Sequence, residues 1–211
     1  KSPFMNFDPA NWTIYTNSWF ESNNISFHPA TRIVGADINK KTVFCDSNAY
    51  PYDKLIVACG AESFVPPILG AQSEGVFTIR RSEDIFRIKK ACKDSKSAVV
   101  IGGGVIGLEA ASELSRYGQK VTVLESMPYL MTKQIDEEIS DIICRTLSDI
   151  DIHTGVKISS IEKSNDCNSG LRVNLADGRS FSCDLIIMAC GVRAATSALP
   201  DSQNHRSRRY R

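Results

Sequence analysis

Short apolar runs recur along the chain, and each is bounded by turn residues or charges. The runs lie at 55–58, 98–101, 121–124 and 184–189. Continuous apolar runs of this length are typical of strands buried on both faces of a sheet. Apolar residues also recur at helical spacing over 134–148, and Ser82 can cap another helix. Strands that alternate with helices predict an α/β fold.

A second pattern interrupts this alternation before the last buried strand. Apolar and polar residues alternate over 171–175, and the Asp-Gly pair at 177–178 is a hairpin turn signal. Together with 156–162 and 179–182, this segment predicts three antiparallel strands. We therefore expect an α/β fold that contains a three-stranded antiparallel insert.

Composition narrows the class of protein. Hydrophobic residues make up 42% of the 211 residues and charged residues 23%, which is ordinary for a globular protein. The net charge of +1 gives no case for a nucleic-acid or membrane-surface partner. No apolar run approaches the ~20 residues of a transmembrane helix. We expect neither nucleic acid nor membrane as a partner, and the oligomeric state stays open.

The cysteines argue against a disulfide framework. There are seven, an odd number, and no pair has the C-x-x-C spacing of a local zinc or redox motif. We expect free thiols in a reducing compartment, hence the cytoplasm, and no metal site. The three histidines, His28, His153 and His205, have no triad or metal-ligand spacing, so none is assigned a catalytic role.

The stretch 197–211 departs from the rest of the chain. It has no apolar periodicity, and it ends in an arginine-rich sequence. We expect a disordered basic tail. An electrostatic arm for nucleic acid is the alternative, which the few charges of the tail support poorly.

Three glycines stand where a predicted strand ends and a helix begins. The sequence GGGVIG at 102–107 has the G-x-G-x-x-G spacing of dinucleotide-binding turns, in the strand–helix setting that such turns require. Gly102 permits a tight turn, Gly104 lets a pyrophosphate approach the backbone, and Gly107 lets the helix pack closely on the strand. The helix would direct its free N–H groups and positive dipole end at the phosphates.

Glu125 closes the next strand, 23 residues after Gly102. Its carboxylate can accept hydrogen bonds from both ribose hydroxyls of an adenosine, and it would repel the 2′-phosphate of NADP. We therefore expect the cofactor to be NAD(H). The alternative is a glycine-rich turn between strand and helix that binds no ligand.

Several stretches carry a family resemblance in their order and spacing. They are YDKLIVACGA at 52–61, FTIR at 77–80, VIGGGVIGLE at 100–109, ADG at 176–178 and DLIIMACGVR at 184–193. The chain resembles the FAD-dependent pyridine nucleotide–disulfide oxidoreductases. It is most similar to the branch with NADH:rubredoxin reductases and the flavin part of the nitrite reductase large subunit. The match runs from about residue 19 to about residue 196.

The resemblance implies a Rossmann-like βαβ NAD domain wound into the middle of an FAD domain. Residues 1–77 would be a partial FAD-binding domain, 78–196 the NAD(H)-binding domain and 197–211 the tail. The FAD fingerprint and the closing Gly-Asp segment of the family do not occur in this sequence. We therefore expect a fragment or a truncated product.

The resemblance also implies residue roles at the NAD(H) site. Val105 and Ile106 would offer backbone N–H groups to the pyrophosphate, and Gly191 and Val192 would border the nicotinamide. Glu109 matches a helix glutamate near the nicotinamide, with an ordinary exposed helix residue as the alternative.

At the FAD site, the resemblance implies roles for four residues. The backbone of Ile33 would meet the adenine, and Ala58, Cys59 and Gly60 match a segment that passes close to FAD. Cys59 and Cys190 stand where the family has threonine, and cysteine is the weaker hydrogen-bonding group. We interpret Cys59 as a substitution and not as a redox cysteine, because no partner cysteine is near in sequence.

The implied function is that of a flavoprotein oxidoreductase. Hydride would pass from NADH to FAD, and electrons from there to an acceptor protein or domain, rubredoxin-like or a sirohaem reductase. Coenzyme A disulfide and oxygen are the other acceptors that the resemblance leaves open. No catalytic residue is named, because the hydride chemistry belongs to the cofactors. The alternative is a non-catalytic NAD(H)-binding module, or a remnant unable to hold FAD. A classical dehydrogenase with its own substrate domain is disfavoured by residues 1–77 and by the three-stranded insert.

Overall fold

The chain divides into two compact units. The computed structural model describes residues 14–164 and 170–200. The first unit, here called the sheet unit, is Ser63–Val192. The second, the flanking unit, consists of the described residues 14–62 and 193–200, which lie on both sides of the sheet unit in the sequence.

The helices and strands follow one another in a mixed order. The helices are α1 (Asn17–Ser22), α2 (Ser82–Ala91), α3 (Val105–Arg116) and α4 (Glu137–Thr146). The strands are β1 (Ile33–Asp37), β2 (Thr42–Cys45), β3 (Ala49–Pro51), β4 (Ala61–Ser63), β5 (Val76–Thr78), β6 (Ser97–Ile101), β7 (Lys120–Leu124), β8 (Ile150–His153), β9 (Ile158–Lys163), β10 (Leu171–Leu175), β11 (Ser180–Cys183), β12 (Leu185–Met188) and β13 (Val192–Ala194).

A five-stranded parallel sheet forms the middle layer of the sheet unit, in the order β5-β12-β6-β7-β8. Successive side chains of a strand point to opposite faces of the sheet. Val100 and Val123 therefore pack with the helices on one face, whereas Val99 and Ile186 pack with the insert on the other. Because both faces are covered, these strands are apolar throughout, as the sequence predicts.

The insert is a second, antiparallel sheet in the order β11-β10-β9. Leu171, Val173 and Leu175 are at most 4% exposed and form its buried face. The hairpin turns at Gly178, where Asp177 accepts hydrogen bonds from the amide and the guanidinium of Arg179. The predicted three-stranded insert, and with it the α/β fold class, is confirmed.

Two helices have ends that differ from the prediction. The residue at the N-cap of α2 is Arg81, one position before the predicted Ser82, and Asp84 accepts the amides of Arg80 and Arg81 at 2.9 Å. Helix α4 is shorter than the predicted 134–148, because Asp136 caps its first turn by accepting the amide of Ile139.

The flanking unit contains α1 and a three-stranded antiparallel sheet in the order β1-β2-β3. The predicted strand at 55–58 is wrong, since in the described part of the chain this run is not a strand and pairs with none. Its side chains are exposed, Ile56 to 90%. An apolar run becomes a buried strand only beside neighbouring strands, and the sheet β1-β2-β3 does not include it.

The division between the units falls earlier in the sequence than the predicted boundaries at 77 and 196. It lies within β4, between Glu62 and Ser63, and within β13, between Val192 and Arg193. Residues 63–77 belong to the sheet unit because β5 pairs in parallel with β12 and because Ala71 is part of the core. Most of the predicted tail, residues 201–211, lies outside the described residues. Among those described, no helix has both the length and the apolar character needed to cross a membrane.

Candidate functional site

The glycine motif lies at the carboxyl ends of the parallel strands. It follows β6, which has β7 and β8 on one side and β12 on the other. The chain continues from β6 to β7 and β8 and reaches β12 only after the insert, so the direction of strand order reverses between β6 and β12. Ligands of open α/β sheets bind in the crevice that such a reversal creates.

The three motif glycines meet different surroundings. Gly102 has φ +112°, and a Cβ there would lie 2.5 Å from the carbonyl oxygen of Ala189 at the end of β12. A Cβ on Gly107 would overlap the carbonyl oxygen of Gly102. A Cβ on Gly104 would meet nothing within 4 Å. Two of the glycines therefore serve close packing, and Gly104 leaves open space above the loop.

Helix α3 begins directly after Gly104. Its first backbone hydrogen bond runs from the amide of Leu108 to the carbonyl of Gly104 at 2.9 Å. The amides of Val105, Ile106 and Gly107 precede this bond, so they have no intrahelical acceptor. No side chain caps this end, and the side chains of Val105 and Ile106 are about half exposed. These amides and the helix dipole suit an anion such as a pyrophosphate.

Glu125 lies beside the loop, at the end of β7. One carboxylate oxygen, Oε2, accepts the amide of Gly103 at 2.6 Å. The other, Oε1, accepts the amide of Met127 at 2.8 Å and the hydroxyl of Ser126 at 3.2 Å. The acidic group thus faces the glycine loop and also holds it in place.

Gly103 is a site residue that the spacing motif does not single out. A Cβ there would lie 2.5 Å from Cδ2 of Leu130 and 3.1 Å from Cβ of Glu125. Its carbonyl accepts the amide of Met131 at 3.1 Å. The only sequence signal for this role is that Gly103 stands within a run of three glycines.

Cys190 follows β12, and its Sγ lies 3.5 Å from the carbonyl oxygen of Ile101. Burial, and secondarily the charge of Glu125, raises the pKa of the Cys190 thiol to about 11. Burial raises the pKa of Cys183, at the end of β11, to about 12. Both thiols are protonated at neutral pH, so neither supplies a thiolate nucleophile.

The other residues expected at the NAD(H) site are exposed. Gly191 has φ +97° and directly follows the β12 end that meets Gly102. Val192 is 51% exposed, and Glu109 projects from α3 into solvent without an assigned side-chain partner in the described residues. The structure therefore brings Gly102, Gly103 and Glu125 together, and leaves the expected nicotinamide neighbours open to solvent.

The residues expected at the FAD site belong to the flanking unit. Ile33 is 37% exposed, and Ala58, Cys59 and Gly60 are exposed as well. None of these four residues is buried, so none of them contributes to the packed core of the described chain. Nor do the described side chains contain a group of three or more His, Cys, Asp or Glu that could hold a metal ion.

Comparison with known proteins matches the chain to one family and to reductases that use a pyridine nucleotide. The family described as pyridine nucleotide-disulphide oxidoreductase matches residues 10–209. The chain is 36% identical to the Bacillus subtilis "Nitrite reductase [NAD(P)H]" over 85% of its length, which is 22% of that protein. It is 30% identical to the "Nitric oxide reductase FlRd-NAD(+) reductase" of Salmonella agona over 84% of its length, which is 46% of that protein.

A solved structure shares the fold over almost the whole chain. It is the ferredoxin reductase for the CYP199A2 system of Rhodopseudomonas palustris, with a TM-score of 0.85 and 27% identity. The match covers 94% of this chain and 49% of that one. The chain thus spans less than half the length of each of these three proteins.

Proposed function

We propose, from the premise that this chain belongs to the pyridine nucleotide-disulphide oxidoreductase family, that its sheet unit is the NAD(H) site of a flavoprotein oxidoreductase. Members of the family use FAD and NAD(P)H. When both are bound, hydride passes from the nicotinamide to the flavin, and that chemistry belongs to the cofactors. The residues of this chain bind and orient the dinucleotide.

One observation carries the proposal. Open space lies above Gly104, the first amides of α3 have no intrahelical acceptor, and the carboxylate of Glu125 bonds to the amide of the preceding residue, Gly103. The amides can donate to a pyrophosphate, and the carboxylate can accept from a ribose. Glu125 follows Gly102 by 23 residues, which is the spacing typical of dinucleotide-binding turns. Gly102 and Gly107 hold the turn in place by close backbone contacts.

The electron acceptor is part of the proposal. Two relatives are called a nitrite reductase and a nitric oxide reductase FlRd-NAD(+) reductase. We propose that electrons pass to a redox protein or domain, rubredoxin-like or a sirohaem reductase. The free state of the described cysteines supports a reducing compartment, and we place the protein in the cytoplasm.

A second candidate function is a non-catalytic NAD(H)-binding module. It is favoured by the sequence, in which the G-x-G-x-x-G spacing occurs once, at the NAD(H) site, and not a second time for FAD. The absorption spectrum of the purified protein distinguishes the two. Flavin bands would support the oxidoreductase, and colourless protein that still binds NADH would support the module.

Glu125→Gln tests the dinucleotide proposal. Glutamine is nearly isosteric and can still accept the amide of Gly103, so the loop anchor is retained in part. The charge that would oppose the 2′-phosphate of NADPH is lost. We expect NADH to bind about tenfold more weakly and the preference for NADH over NADPH to fall by about tenfold or more.

The measurement is fluorescence titration of each nucleotide against the wild-type chain and the variant. Glu74→Gln is a matched control, since Glu74 is an exposed glutamate that precedes β5, at the end of the sheet opposite to the glycine loop. A wild-type chain that binds NADPH as tightly as NADH would refute the ribose role of Glu125. A chain that binds neither nucleotide would refute the proposed function.

A further inference from the structure

We propose that Ser140 is a positioning residue of the dinucleotide site, because its buried hydroxyl fixes the segment that holds the glycine loop. Ser140 belongs to α4 and lies outside the glycine motif. The proposal rests on the proposed function, and it adds a residue that neither the motif nor the family match assigns.

Ser140 is only 1% exposed. Its Oγ accepts the amide of Leu130 at 2.9 Å, and both partners are buried. A polar side chain buried to this extent is found where it satisfies another buried polar group. Without this hydroxyl, the Leu130 amide would be left unsatisfied inside the protein, which is costly. Ser140 therefore fixes the position of the Leu130 backbone.

Leu130 and the residue after it connect Ser140 to the glycine loop. The Leu130 side chain is fully buried, and its Cδ2 occupies the space into which a Cβ of Gly103 would project. The following residue, Met131, donates its amide to the carbonyl of Gly103 at 3.1 Å. Met131 has φ +51°, and its carbonyl accepts the amides of Gln134 and Ile135. The segment that precedes α4 therefore contacts Gly103 in two ways, by the packing of Leu130 and by the hydrogen bond from Met131.

Glu125 holds the same glycine from the other side, since its Oε2 accepts the Gly103 amide at 2.6 Å. Gly103 is thus held at its amide, at its carbonyl and at its α-carbon. Gly104 and the first amides of α3 follow directly, so the position of Gly103 sets where these donors point. Donors that are fixed before a ligand arrives bind it more tightly than mobile ones.

The test compares Ser140→Ala with a control that removes another buried polar side chain. Gln119 is 7% exposed, and its Nε2 donates to the carbonyls of Cys92 and Ser95 at 3.2 and 2.7 Å. It precedes β7, at the end of the sheet opposite to the glycine loop. Gln119→Leu should therefore reduce stability without moving the loop.

Two quantities are measured in the whole chain. The first is the hydrogen-exchange rate of the Gly103 amide, relative to the amides of β6 and β12. The second is the dissociation constant for NADH. For Ser140→Ala we expect relative exchange to rise about tenfold and NADH to bind roughly five- to twentyfold more weakly. For Gln119→Leu we expect neither to change. Ser140→Cys, which keeps the size and accepts hydrogen bonds weakly, should fall between the wild type and Ser140→Ala.

Equal relative exchange at Gly103 in the wild type and in Ser140→Ala would overturn the proposal. The proposal would also be overturned if Ser140→Ala made exchange faster by the same factor throughout the sheet unit. That result is expected of a variant such as Gln119→Leu, which only lowers stability. If Ser140→Ala does not fold, Ser140→Cys supplies the same comparison, because it keeps the size of the side chain and weakens the hydrogen bond to the Leu130 amide. A wild-type chain that fails to bind NADH would overturn the proposed function, and the exchange rates would still decide whether Ser140 holds the loop.

Discussion

Gly104 has an ordinary extended backbone, with φ −82° and ψ 178°, which any residue can adopt. A Cβ there would meet nothing within 4 Å. Neither conformation nor packing of the protein therefore requires a glycine, and the space above it is left for a ligand. We predict that Gly104→Ala keeps stability within about 1 kcal/mol of the wild type and weakens NADH binding by at least about tenfold, since the methyl group occupies the pyrophosphate position.

The matched comparison for this prediction is Gly107→Ala, at the third glycine of the same motif, in the first turn of α3. Its Cβ would overlap the carbonyl oxygen of Gly102, so the helix α3 would have to move away from β6. We expect a loss of about 2 kcal/mol or more in the free energy of unfolding. Urea denaturation and NADH titration of both variants separate the roles. Gly104→Ala protein that binds NADH like the wild type would contradict the ligand role of this position.

Whether the role of a residue can be predicted from the sequence depends on whether its contacts are local or distant along the chain. The roles of Gly102, Gly104 and Gly107 follow from local spacing, because a strand–turn–helix unit places them in fixed positions. The contacts of Gly103 and Ser140 cannot be read in this way. They depend on how Leu130 packs against the loop. No short-range sequence pattern predicts the path of the segment between β7 and α4.

At the scale of elements, two apolar runs show what periodicity cannot decide. Leu55-Ile56-Val57-Ala58 and Leu185-Ile186-Ile187-Met188 look alike as sequences. The second is β12, at most 2% exposed between β5 and β6, whereas the first is exposed and is not a strand. A continuous apolar run indicates that a segment suits a sheet interior, but the neighbouring strands must be present to bury it. The other buried strands and the insert were predictable because this chain supplies their partners.

Hydrogen exchange provides a test of this contrast. We predict that peptides covering 53–60 exchange near the rate of an unstructured chain, because no strand of the described residues pairs with 55–58. Peptides covering β12 and β6 should be protected by several orders of magnitude. The two runs have similar composition, so β12 is the matched control. Protection at 55–58 equal to that at β12 would show that this run is a paired strand in solution.

At the scale of the whole molecule, the apolar core is distributed unequally between the two units. Every buried hydrophobic residue of the described chain, from Ala71 to Met188, belongs to the sheet unit. The flanking unit instead has aromatic contacts near its surface, such as the stacked rings of Tyr15 and Trp19 and of Phe20 and Phe27. Burial of apolar surface is the dominant favourable contribution to folding, so the two units should differ in stability.

We therefore predict that urea unfolds the chain in two steps, with the flanking unit first. Two signals report mainly on different units, because Trp19 lies in the flanking unit and far-ultraviolet circular dichroism is dominated by the longer helices α2, α3 and α4 of the sheet unit. A ligand stabilises only the unit that binds it, by about 2.7 kcal/mol at one hundred times its dissociation constant. NADH should consequently move the second transition and leave the first in place. A single transition seen by both signals, shifted as a whole by NADH, would mean that the flanking unit draws its stability from the sheet unit and unfolds only with it.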